Sequence, residues 1–262
     1  MKLTNSVKLM ILIIVIWIFL AILFGIYDLE ISTLVVDEQS NWGNFGADYG
    51  EVPGYILIAI ALATFIGSYI RNIKKQKLLI ILAVITGVII LTLGIFEDDT
   101  TDISLGSGLI IVPLLYLIVT WKKDWQNYRK IASIISFLAI INPLLFVQLI
   151  KLFWGRVRFR DLSGGDFTPW FIPLGITGNF SFPSGHAAMG WMFLPLLIDL
   201  KKRKLNIWLK IPILFLVLGW GMFVALSRVI VGAHYASDVL FSTGLASIIT
   251  IILYRGIYKN NN

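Results

Sequence analysis

Apolar runs separated by short polar stretches dominate the chain, at 9–26, 55–70, 78–96, 105–121, 131–150, 187–200, 211–226 and 235–254. Crossing a hydrocarbon core as helix takes about 20 residues. Runs this long, without two-residue alternation, read as helices and not as strands. The pattern predicts an all-α, polytopic membrane helical bundle of about eight spans within one integral domain, 1–262, whose earlier spans (9–121) precede the chemistry. The first run follows Lys2 and Lys8, as the core of a signal peptide would. Asp28, Glu30 and bulky residues stand where a small-residue cleavage site is needed, so it is kept as a helix. The run at 187–200 is short and carries Pro195, which predicts an earlier start at Ser184 and a kink.

Composition sharpens this reading. With 58% apolar residues, 14% charged residues and a mean hydropathy of +0.85, the chain lies far from the balance of a soluble domain. The absence of cysteine excludes disulfides, thiolate nucleophiles and thiolate metal ligands. The net charge of +7 is distributed as a topology signal and not as a nucleic-acid footprint. Seventeen of the 22 basic residues fall near the N-terminus, in 71–77, 122–130 and 201–210, and at Arg255 and Lys259, all on one side of an eight-span arrangement. The segments 28–54 and 96–104, on the other side, carry ten acids and no Lys or Arg. Both termini are therefore predicted to be cytoplasmic. The five remaining cations, Lys151, Arg156, Arg158, Arg160 and Arg228, lie on the translocated side together with both histidines of the chain.

Those residues carry the candidate chemistry. Lys151 and Arg158 are two helical turns apart, so both project from one face if the fifth span continues as helix past 150. An ammonium and a guanidinium converging on one point suit the oxygens of a phosphoryl group. Interfacial cations commonly only snorkel toward head groups, but here they are almost the only cations on their side. Pro183, Ser184 and Gly185 begin a helix, with Ser184 as its cap and His186 in its first turn. Gly232 permits a tight reversal after Ser227 and Arg228, and His234 and Asp238 are spaced four apart, on one helical face. A carboxylate that accepts from one imidazole nitrogen leaves the other free to attack. Paired for stability alone, the same residues would do nothing chemical.

The strings KLFWGRVR, FSFPSGHAA and SRVIVGAHYASDVL resemble the three signature motifs of the type 2 phosphatidic acid phosphatase superfamily, the membrane relatives of nonspecific acid phosphatases and vanadium haloperoxidases. The likeness covers roughly 151–255. It implies a general acid at His186, a nucleophile at His234 and an orienting carboxylate at Asp238. It also implies phosphate ligands at Lys151, Arg158, Ser184, Gly185 and Arg228. The pattern departs at Phe159 and Ala236, where the family often has Pro; the first departure leaves open whether Arg156 or Arg160 shares the task of Arg158.

The expected reaction is hydrolysis of a lipid phosphate or diphosphate through a phosphohistidine, with no cofactor and no metal. Polyprenyl diphosphate such as undecaprenyl diphosphate, phosphatidylglycerophosphate and phosphatidate all qualify as substrates, Arg156 and Arg160 mildly favouring a multiply charged head. The segment 31–54, with Trp42, Phe45 and Tyr49, is read as an interfacial loop that anchors by its aromatics or serves as a lid. A phosphotransferase with the same site, a lipid-phosphate transporter or flippase, and a purely structural membrane protein are the competing readings. Nothing in the pattern fixes the oligomeric state.

Overall fold

Helical segments begin where a polar side chain accepts from the backbone two or three residues on, as at Ser40, Asn72, Asp99, Asp124, Ser184 and Asn206. A computed structural model describes residues 4–164 and 167–259, which contain no strand. Lys2, counted above among the basic residues, lies outside them. In order the helices are α1 (Asn5–Val35), α2 (Asn41–Tyr49), α3 (Val52–Gly67), α4 (Ile73–Gln76), α5 (Ile80–Glu97), α6 (Thr100–Thr120), α7 (Arg129–Ala139), α8 (Gln148–Trp154), α9 (Gly185–Gly190), α10 (Leu194–Lys202), α11 (Ile207–Ile230) and α12 (Ala236–Lys259).

This is the predicted all-helical membrane bundle, with two differences. Among the described residues seven helical segments, not eight, are long and apolar enough to cross a membrane. The sixth run, 187–200, is broken by a 3-10 turn at Trp191–Phe193, between a start capped by Ser184 and the Pro195 at the head of α10. The second difference lies between the first two spans. The segment 31–54, expected as a loop, is mostly helix: α1 runs on to Val35, and α2 packs against α11. Glycine on α2 makes that contact possible, since a Cβ at Gly46 would lie 2.5 Å from the Cβ of Ser227.

A core of Ala61, Ile135, Leu138, Ala139, Met189, Met192 and Ile249 joins α3, α7, α9 and α12. α1 lies outside it, presenting Leu12, Val15, Phe19 and Ile22 outward and burying only Ala21, Asp28 and Ser32. It docks on α12, where Trp17 packs edge-on against Phe241 at 5.0 Å.

Between α7 and α8 the helix widens into a π segment at Ile140–Val147 around Pro143, whose missing N–H cannot continue the regular ladder. α8 then delivers Lys151 in its last turn, where a cation complements the helix dipole.

The charge segregation read from the sequence is reproduced in space. At one end Lys77 donates to the carbonyl of Lys123 at 2.7 Å, while Lys130 and Lys202 lie over the ring of Tyr258 near the end of α12. The C-termini of α8 and α11 and the N-termini of α9 and α12 gather at the other.

Candidate active site

α8 stops at Trp154 because Gly155 takes a left-handed conformation, φ 63°, and Arg158 follows in extended chain. The condition for Lys151 and Arg158 to share a helical face is therefore not met; Arg158 instead leads into a turn at Phe159–Asp161. That turn is anchored to the reversal before α12, since the amide of Arg160 donates to Gly232 at 3.1 Å. Phe159, standing where the motif usually has Pro, sets its ring edge-on against Tyr235.

Three of the expected phosphate ligands remain available. Lys151, Arg158 and Arg228 form no ion pair among the described residues. Their charges nevertheless act on one another, and those of Lys151 and Arg228 act on both histidines. Arg228 is almost fully buried; among the described residues its side chain makes one long bond, of 3.4 Å to the carbonyl of Ala47, and its Nε has no partner. Buried guanidinium donors are rarely left this way, because desolvating them without a partner is costly. Ser184 accepts from the amide of Ala187, as an N-cap should, and the ammonium of Lys151 would stand 3.6 Å from a Cβ placed at Gly185.

Arg156 is the correction. Expected among the phosphate-binding cations, it is fully buried and its donors are engaged elsewhere. Nη1 donates to Asp238 Oδ1 at 2.6 Å and to Ser237 Oγ at 2.8 Å, Nη2 to Asp28 Oδ2 at 2.9 Å, and Nε to the carbonyl of Thr168 at 2.9 Å. Four of the five guanidinium N–H groups are thus engaged within the protein. Arg160, partly exposed, stands 3.8 Å from Asp161.

Each histidine faces a carboxylate through Nδ1. For His234 the partner is Asp238 Oδ2 at 3.5 Å, a distance at which Nδ1 makes no hydrogen bond. The same carboxylate oxygen already accepts from Ser181 Oγ at 2.5 Å and from the Tyr235 amide at 2.9 Å. Burial holds the His234 imidazole down to about 3, against the opposing pull of Asp238, so the ring is neutral over the ordinary pH range. For His186 the partner is Glu51 Oε1 at 2.9 Å, and Glu51 also accepts from the Tyr55 hydroxyl at 3.3 Å.

Glu51 and Asp28 were missed as site residues. Nothing local separates Glu51 from the other acids of 28–54. Asp28 did carry a signal, since an acid within a spanning helix normally has a partner or a wet cavity.

Among the described residues no group of three or more His, Asp or Glu is disposed as a metal-ligand set. A groove of about 280 Å³ leaves the site between α3 and the π segment, with Glu51 and Gly185 at its mouth and Ile58, Leu62, Ile140 and Leu144 along it. A larger cavity, about 790 Å³, opens at the opposite end beside Asn5, Lys201, Lys202 and Tyr254, away from both histidines.

The family model described as PAP2 superfamily matches residues 132–262. The lipid A 4'-phosphatase of Francisella tularensis subsp. novicida is 35% identical over 160 residues, an alignment covering 57% of this chain and 69% of that protein. No solved structure matches the chain.

Proposed function

Because this chain belongs to the PAP2 superfamily, we propose that it hydrolyses the terminal phosphate of a membrane lipid through a phosphohistidine on His234. The observation that carries this reading is the grouping of three cations, in no ion pair among the described residues, with two imidazoles that each face a carboxylate. Lys151, Arg158 and Arg228 hold the non-bridging oxygens, with the Ser184 hydroxyl beside them. They stabilise charge that builds up in the transition state. His234 Nε2 attacks phosphorus as the bond to the leaving oxygen breaks, and the His186 imidazolium gives that oxygen its proton. Water then attacks the phosphohistidine, His186 takes its proton, and inorganic phosphate leaves with His234 restored.

A lipid fits better than a soluble ester because the apolar groove beginning at Glu51 and Gly185 gives a hydrocarbon chain a place within the bilayer. Its site lies at the end of the bundle remote from the basic loops, which favours an extracytoplasmic face. Polyprenyl diphosphate, phosphatidylglycerophosphate and phosphatidate remain candidates, and the name of the relative above adds lipid A with its 4'-phosphate. With Arg156 occupied, the sequence-level preference for a multiply charged head loses half its basis.

The test is a phosphate-release panel over these four lipid classes in detergent, in excess chelator. Wild type is expected to turn over, metal-free, and His234→Ala to fall at least about a thousandfold. Wild-type rates in a folded His234→Ala, or activity that collapses in chelator and returns with magnesium, would overturn nucleophile and metal independence respectively. Product analysis with added lipid acceptors separates hydrolysis from phosphotransfer.

A further inference from the structure

The buried Arg156 guanidinium is divided between two carboxylates from opposite ends of the chain, Asp28 on α1 and Asp238 on α12. Asp28 is fully buried in a helix that otherwise mostly faces outward. It accepts from Arg156 Nη2, from the Ser237 amide at 3.0 Å and from the Ser237 hydroxyl. That hydroxyl also accepts from Arg156 Nη1, which closes a ring of contacts one residue before Asp238. The Tyr235 ring covers the guanidinium at 4.0 Å. Asp238 is thus held on Oδ1 by Arg156 and on Oδ2 by Ser181 and the Tyr235 amide, with His234 Nδ1 beside Oδ2.

We infer that Asp28 is a positioning residue for the reaction: by sharing the Arg156 guanidinium it fixes where the Asp238 carboxylate, and through it the His234 imidazole, stand. Without Asp28, Arg156 becomes a dedicated counter-ion of Asp238, drawing the carboxylate away from the ring and weakening the field it exerts on Nδ1. α1 lies wholly outside the matched stretch 132–262, so a helix not needed for the family motifs contributes to the site. The inference rests on the proposed role of His234.

Asp28→Asn keeps the size and the acceptor oxygen but removes the charge. On the panel lipid hydrolysed fastest, kcat should fall about ten- to a hundredfold while KM stays within about threefold, because misplacement acts on the attack and not on phosphate capture. Arg156→Gln should show the same split. The double variant should be no worse than the poorer single one, since one line of contacts carries both effects. Wild-type kcat in folded Asp28→Asn, a loss confined to KM, or effects that multiply in the double variant would each overturn the inference. Should Asp28→Asn fail to fold, Ser237→Ala breaks the same ring without changing any charge. It is then expected to lower kcat about three- to tenfold at unchanged KM, and a wild-type kcat would refute the link. If His234→Ala is also active, the functional reading fails; if His234→Ala is dead while Asp28→Asn is normal, only this inference fails.

Discussion

Glu51 Oε1 lies 2.9 Å from His186 Nδ1, so the residue immediately before α3 supplies the counter-ion for a histidine on α9. Burial lowers the His186 imidazole from its ordinary value, and the Glu51 contact opposes that by favouring the protonated ring. Glu51→Gln preserves the shape of that contact without its charge. Its kcat should fall about ten- to a hundredfold, within what a positioned general acid supplies. The alkaline limb of the pH–rate profile should move to lower pH, because the imidazolium has lost its anion. An unmoved limb would separate Glu51 from proton transfer.

How much of this was legible in the sequence follows from the range of each interaction. Span positions come from local apolar runs, and the Ser184 start and the break near Pro195 from local cap and proline chemistry. The end of α8 is not legible, because Gly155 can continue a helix or terminate it, and its left-handed φ of 63° appears only in the folded chain. Arg156 and Arg158 look equivalent two residues apart; the difference between them is Asp28, brought in by α1. Glu51 was invisible for the same reason, since its partner is fixed by helix packing and no spacing rule reaches that far.

The approach of α2 to α11 sets a second test. A Cβ at Gly46 would fall 2.6 Å from the hydroxyl oxygen of Ser227, the neighbour of Arg228. Gly46→Ala must therefore push α2 away from the helix that carries this proposed phosphate ligand. Overpacking of this kind costs about 1–3 kcal/mol. Melting in detergent should show the loss, and KM for the lipid should rise. Gly219→Ala on α11, where a Cβ meets nothing within 4 Å, is the matched control and should change neither.

Burial of His234 predicts an acid-dependent loss of stability. Its folded value of about 3 lies below the ordinary 6.5, so the unfolded chain takes up a proton that the folded protein refuses. The stability contribution is whole above 6.5 and is lost as pH falls toward 3, at no more than about 1.4 kcal/mol per pH unit. Denaturation at pH 7 and pH 5 should show a larger drop for wild type than for His234→Gln. Equal drops would mean that the folded imidazole is already charged.

The groove between α3 and the π segment offers a test that separates lipid capture from chemistry. Ile140 lines it without belonging to the cation cluster, and its partly exposed side chain leaves room for a larger one. Ile140→Trp should obstruct a hydrocarbon chain while leaving Lys151, Arg158 and Arg228 in place. The expected result is a KM at least about tenfold higher for long-chain lipid phosphates, with p-nitrophenyl phosphate hydrolysed at the wild-type rate. Each methylene seated in the groove adds van der Waals contacts that the larger ring would displace, so the penalty should grow with chain length. If short and long chains suffer alike, the groove does not hold the tail, and the lipid must reach the site along another helix face.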